Sequence, residues 1–260
     1  MVKASQAGRA LPRLPRPSPP SFCFLDPVNF VNFRENRRHM TAAQTDPLNL
    51  ASLLCSRLCH DLLSPVGALS NGLELLTDEK DPEMRKRCFE LLEQSARTSA
   101  DKLKFFRLAF GAAGGFGEMV PVAEPRALID ALVGHNERIS VNWALGGDAL
   151  PKPAVKTLLN LAMIGIEALV RGGTLDIGAE LRPDAALGSA SEIVIRAAGP
   201  RIAFDPAVGR ALDGSLPAAE LSSKTAPAAM LHQLAASVGG GLQFALTDEA
   251  LVLGAVLPAG

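Results

Sequence analysis

Pro47-Leu-Asn-Leu-Ala-Ser-Leu-Leu-Cys-Ser-Arg-Leu-Cys-His-Asp-Leu-Leu-Ser-Pro-Val-Gly-Ala-Leu-Ser-Asn-Gly-Leu-Glu-Leu-Leu76 is the stretch on which the fold turns. Leu50, Leu54, Leu58, Leu62, Val66, Leu69, Leu73 and Leu76 recur at steps of three and four. That spacing is the apolar stripe of an amphipathic helix. Thr45 or Asp46 can cap it, and Pro47 suits its first turn. Thr77-Asp-Glu-Lys-Asp-Pro82 breaks the pattern. A second stripe follows through Met84, Cys88, Leu91, Leu92, Ala96, Leu103, Phe106 and Phe110, ending at the glycine-rich Gly111–Gly115. Each helix of about 30 residues is about 45 Å long at 1.5 Å per residue, and a short turn makes the pair antiparallel. One hairpin cannot bury both stripes. Two hairpins can, so the pattern predicts a four-helix bundle in a homodimer.

Working outward, residues 1–40 hold six prolines and seven basic side chains against Asp26 and Glu35. Residues 1–45 are expected to be a disordered, basic, proline-rich extension. Met40 stands just before the regular pattern, and the expectation is that the folded protein starts near it. The whole chain of 260 residues sums to a net charge of −1, which argues against a nucleic-acid-binding protein. Apolar residues at 48% and charged ones at 20% exclude general disorder and a coiled-coil rod. No apolar run has the length to cross a bilayer and no secretory leader is legible, so no membrane partner and a cytoplasmic location are expected. Beyond Gly115, strand patterns at 138–143, 174–179, 192–196, 241–246 and 250–256 alternate with helical ones at 125–134, 151–171 and 225–238. The expected fold class is α+β, with a helical-hairpin domain over 46–115 and helices layered on a mixed sheet over 118–260.

His60 lies two positions from both Leu58 and Leu62, so it points roughly 160° away from the stripe. Ser56, Arg57, Ser64 and Gly67 share that side. They are mostly small and leave room for a partner protein to dock. A neutral imidazole is a nucleophile towards phosphorus. Adjacent Asp61 can accept from one ring nitrogen, fix the tautomer and leave the other nitrogen free. A His-Asp pair alone would be read as a solvated surface histidine. Cys55, Cys59 and His60 could suggest a metal or haem site, but no second ligand pair exists in the chain, and the cysteines are expected to be small buried apolar residues. Lys224-Thr225 lacks the glycines of a P-loop. His135 and His232 are expected to be structural, and Trp143 to lie in the core.

Arg57-Leu-Cys-His-Asp-Leu-Leu-Ser-Pro-Val-Gly-Ala-Leu69 resembles the H-box of sensor histidine kinases, where a phosphoacceptor histidine is followed by an acid, a leucine and, a turn later, a proline. The resemblance implies that His60 accepts phosphoryl and that Asp61 is its acid/base partner. Residues 118–257 resemble the ATP-binding domain of the same kinases, with its boxes altered. Within Lys156–Leu169, the asparagine that holds magnesium in those kinases is Ile164, which offers no oxygen to a hard cation. In Ile193–Ile202, the adenine-reading aspartate is Ala197 and a required glycine is Arg201, expected to fill space the loop must leave open. Before Met230–Phe244, the phosphate-binding glycines are replaced by Ser222–Ala228, which includes Pro227.

Taken together, residues 46–257 resemble the dimeric histidine phosphotransferases of alphaproteobacterial cell-cycle control. The resemblance implies a phosphorelay protein without ATP-dependent kinase activity. Its donor would be the receiver domain of a CckA-type hybrid kinase, and its acceptors CtrA-like and CpdR-like response regulators. It would need no cofactor of its own, Mg²⁺ being expected on the receiver. An ATP-dependent sensor kinase and a non-catalytic dimeric scaffold for receivers are the competing readings.

Overall fold

Three helices open on the same dipeptide, an aspartate followed by a proline. They are α1 (Pro47–Asp78), α2 (Pro82–Ala109) and α5 (Pro206–Leu212). In each, the carboxylate accepts from a backbone N–H two residues on, at 3.0, 2.8 and 2.9 Å, and proline occupies the first turn where its missing donor costs nothing. The molecule is known as a computed structural model that describes residues 46–111, 118–134, 136–184 and 188–258. The expectations for residues 1–45, for the glycine-rich break after Gly111 and for His135 lie outside the described residues.

Helices α1 and α2 form the expected antiparallel hairpin. Arg85 closes its turn by donating to the carbonyls of Leu76 at 3.1 Å and Glu79 at 2.9 Å. The interface between the two helices is made largely of small side chains. Pro65 and Gly72 of α1 are buried, as are Cys88, Ser95 and Ser99 of α2. A Cβ on Gly72 would stand 2.9 Å from the Leu92 side chain, so a larger residue there would require Leu92 to shift. The larger members of the stripes divide. Leu50 and Phe106 are buried, Leu62 and Leu69 half-buried, and Val66, Leu73 and Leu103 exposed, as is Phe89 outside the expected stripe.

The second domain starts with β1 (Met119–Pro121), α3 (Ala123–Val133), β2 (Ile139–Gly146), β3 (Ala149–Pro151) and α4 (Lys152–Ala168). It continues with β4 (Gly173–Asp184), β5 (Gly188–Ala198), α5, a 3₁₀ turn, α6 (Ala226–Ser237), β6 (Gly241–Leu246) and β7 (Ala250–Pro258). The sheet order is β2-β4-β5-β7-β6, with β2 and β4 parallel and the other pairs antiparallel. Alternate residues of the central strands, among them Leu175, Ile177, Ile193, Ile195, Leu251 and Leu253, are buried beneath α4. Helix α4 is itself apolar almost all round, because the sheet covers one side and helices cover the other. The class is α+β, as expected. The β1–β3 ladder, the short α5 and the 3₁₀ turn carry too few residues for periodicity to reveal them.

The foot of the hairpin belongs to the same core. Phe105, Phe106, Leu108 and Ala109 join the apolar cluster of the second domain. Asn160, fully buried in α4, donates to the Ala109 carbonyl at 3.2 Å. Helix α1 also packs on α6. These contacts bring the second domain up to the side of α1 that carries Arg57.

Candidate functional site

The His60 side chain is 81% exposed, and its Nδ1 lies 3.0 Å from Asp61 Oδ1. A carboxylate can only accept, so this contact places the ring proton on Nδ1 and leaves the Nε2 lone pair towards solvent. Asp61 itself is well buried for a carboxylate, with a side chain 17% exposed. Its Oδ2 accepts from Arg57 Nε at 2.7 Å. Arg57, one turn before Asp61, also donates through Nη2 to Glu167 Oε1 at the last turn of α4. Burial disfavours the Arg57 charge, but Glu167 and Asp61 more than offset it, and the guanidinium pKa is held above its ordinary value.

Below this row the backbone is tied as well. Pro65 has no N–H to give to the Asp61 carbonyl one turn back. Lys102 of α2 supplies the missing donor, its Nζ 2.8 Å from that carbonyl. The turn carrying His60 is therefore anchored by α2 through its backbone and by the second domain through the Asp61 carboxylate.

Of the expected docking residues, Ser56 and Ser64 are exposed beside His60. Gly67 is half-buried, and a Cβ there would meet nothing within 4 Å. Arg57 differs: its side chain is only 11% exposed and is turned inward, because two carboxylates from different elements converge on it. Sequence reasoning missed Glu167 and Lys102. Glu167 carried one signal, a lone charge closing an otherwise apolar helix. It also missed Leu63, which stands 70% exposed one turn after His60. Cys55 and Cys59 are exposed rather than buried, since they fall on the side of α1 away from α2; Cys88 is buried as expected. Among the described residues no group of three or more His, Cys, Asp and Glu is placed to hold a metal ion.

A cavity of about 180 Å³ lies between α1, the end of α4 and the start of α6. Ile164, Phe204, Val208 and Pro227 line it, with Arg57, Glu167 and Lys224 at its polar side. Ala197 is fully buried in β5, paired with Leu175 and Leu251, and has no polar neighbour in the ladder. Arg201 does not fill the site. It is exposed, and Phe204 occupies the cavity wall instead, as the more apolar side chain. Lys224 reaches Asp205 at 2.8 Å. That hydrogen bond, followed by the one from the Ala207 N–H, holds the Asp205 carboxyl below the ordinary aspartate value. His232 Nδ1 lies 3.1 Å from the Leu212 carbonyl, a packing role. Trp143 is half-buried against the core, and its indole N–H donates to Asp130 at 2.9 Å.

Residues 122–250 match the family model described as the histidine phosphotransferase C-terminal domain. A solved structure described as a bacterial phosphotransferase overlays with a TM-score of 0.68 at 29% identity, covering 82% of this chain and 98% of that one. The family match places a histidine phosphotransferase C-terminal domain after the helical hairpin of α1 and α2. The protein phosphotransferase ChpT of Brucella abortus is 41% identical over 133 residues, 51% of this chain, and the chain spans 62% of the length of that curated relative. The chain is similar to the ChpT-type histidine phosphotransferases.

Proposed function

We propose that this protein relays phosphoryl groups through His60 in a multi-step phosphorelay. It accepts from the receiver aspartate of a CckA-type hybrid kinase and donates to CtrA-like and CpdR-like receivers. The observation that carries this reading is the exposed His60 ring with Asp61 3.0 Å from Nδ1. In the forward step the Nε2 lone pair attacks the phosphorus of the acyl phosphate. The P–N bond forms as the P–O bond to the receiver aspartate breaks, and the electron pair leaves on that carboxylate. The Nδ1 proton stays with the ring, whose growing positive charge the Asp61 carboxylate stabilises. Onward transfer reverses each event. The receiver supplies Mg²⁺, and no cofactor is needed on this chain.

The protein works as a homodimer, which covers the exposed apolar faces of the hairpin. Receivers approach over Ser56, Ser64 and Gly67, where space is open. ATP-dependent kinase activity is not part of this reading. The cavity of about 180 Å³ falls below the roughly 300–1,000 Å³ of small-molecule sites, and Ile164 in its wall offers no oxygen to a metal ion. An incubation with a ³²P-labelled phospho-receiver, followed by quenching at alkaline pH, tests the proposal. Acid-labile label is expected on the wild-type chain and none on His60→Ala. Label on His60→Ala would remove His60 as the acceptor. Micromolar Mg-ATP affinity by calorimetry would overturn the non-kinase part.

A further inference from the structure

The second domain retains its whole fold although its altered boxes no longer suit a nucleotide. One of its side chains reaches the phosphotransfer turn. Glu167 closes α4 and pairs with Arg57, which in turn pairs with Asp61 Oδ2, whose other oxygen contacts His60 Nδ1. The row runs from domain to hairpin without a gap. We infer that Glu167 and Arg57 are positioning residues for phosphotransfer: through them the second domain sets the orientation and net charge of the carboxylate behind His60. This deepens the phosphorelay reading and rests on it.

Geometry carries the first half of the argument. Asp61 has two rotatable bonds and, on an isolated helix, could turn either oxygen to solvent. Arg57 Nε at 2.7 Å holds Oδ2, which leaves Oδ1 directed at His60. Arg57 would itself be free to swing outward, as long cationic side chains do. Glu167 keeps it folded inward at 11% exposure.

Charge carries the second half. Asp61 and Arg57 alone form a neutral pair, which has little attraction for a developing imidazolium. Adding Glu167 leaves the three paired side chains with one net negative charge, partly shielded from water, while the Lys102 ammonium sits on the Asp61 backbone carbonyl and not on the carboxylate. Phosphoryl transfer puts positive charge on the His60 ring, so this surplus acts mainly in the transition state. The sheet domain would then supply one carboxylate to a reaction that takes place on the hairpin.

A plain interdomain ion pair predicts something different, namely lower stability with unchanged chemistry. Two readouts separate the cases: the transfer rate at saturating phospho-receiver, and the ring ¹⁵N shifts of His60, which report where the proton sits. Glu167→Gln and Arg57→Lys are expected to slow transfer about 10- to 100-fold with the concentration for half-maximal rate little changed. The His60 proton, held on Nδ1 in wild type, is expected to spread over both nitrogens in Glu167→Gln. In an Asp61→Asn background, Glu167→Gln should add less than about twofold, since its route of action is gone. The inference is overturned if Glu167→Gln transfers within about twofold of wild type with unchanged ring shifts. It is equally overturned if its effect multiplies fully with that of Asp61→Asn. Label appearing on His60→Ala would instead remove the phosphorelay reading, while the ring shifts still decide whether Glu167 positions the imidazole.

Discussion

His60 depends on where a single proton rests. With Asp61 Oδ1 at 3.0 Å the Nδ1–H is held, and in the proposed transfer Nε2 is the nucleophile. Asp61→Asn keeps the shape and a hydrogen-bonding group but removes the charge. Transfer from a labelled phospho-receiver should slow about 10²- to 10⁴-fold in a rapid-quench time course, with receiver affinity little changed. A second residue-scale prediction concerns Asp205 and Lys224. Asp205 has its carboxyl pKa lowered by the Lys224 hydrogen bond. The pair therefore contributes stability above the ordinary aspartate value of about 3.9, and loses it as pH falls through the lower folded value. Both groups are partly exposed, so the contribution is small. Lys224→Met should melt about 1–3 °C below wild type at pH 7, and the gap should close as pH falls below the ordinary aspartate range.

Helix α1 shows how an element can be weakened at one point and repaired from another. Pro65 deprives the Asp61 carbonyl of its helical donor, and Lys102 replaces it from α2. Lys102→Met keeps the length of the stem but leaves that carbonyl without the ammonium. Urea unfolding should show a loss of about 1–3 kcal/mol, the cost of a poorly satisfied polar group. The same change should slow transfer, since the turn carrying His60 and Asp61 loses an anchor. The helix starts follow a plainer rule. Asp46-Pro47, Asp81-Pro82 and Asp205-Pro206 each cap a helix in the same way. The third marks α5, a helix that periodicity alone did not reveal.

Over the whole molecule, the arrangement of apolar surface is the dominant feature. Small residues fill the inside of the hairpin, so Val66, Leu73, Phe89 and Leu103 remain outside. Val66 and Leu73 are seven residues apart, and Phe89 and Leu103 fourteen, so each pair shares a helix face. Exposed apolar area of this extent is expected to close against a second copy. Light scattering at micromolar concentration should give the mass of a dimer. Leu73→Glu and Leu103→Glu should give folded monomers, because these side chains are exposed in the single chain and unpaired charges only in the bundle. A monomeric wild type would refute the bundle.

The hairpin, the α+β order of the second half and the His60–Asp61 pair could all be read from the sequence. Each is written in short-range spacing, and a helix imposes its geometry on residues three and four apart. His60 and Asp61 are neighbours, so their proximity needed no fold at all. What spacing could not show was the inward turn of Arg57, the exposure of Cys55 and Cys59, or the wall formed by Phe204 in place of Arg201. Those depend on which of several compatible partners a side chain meets. Arg57 could have faced solvent, a receiver or a carboxylate. Glu167 is 110 residues away along the chain and reaches Arg57 only because the buried foot of the hairpin, Phe105 to Ala109, sets α4 alongside α1. Contacts at that separation are decided by the packing of whole elements, and no local pattern encodes them.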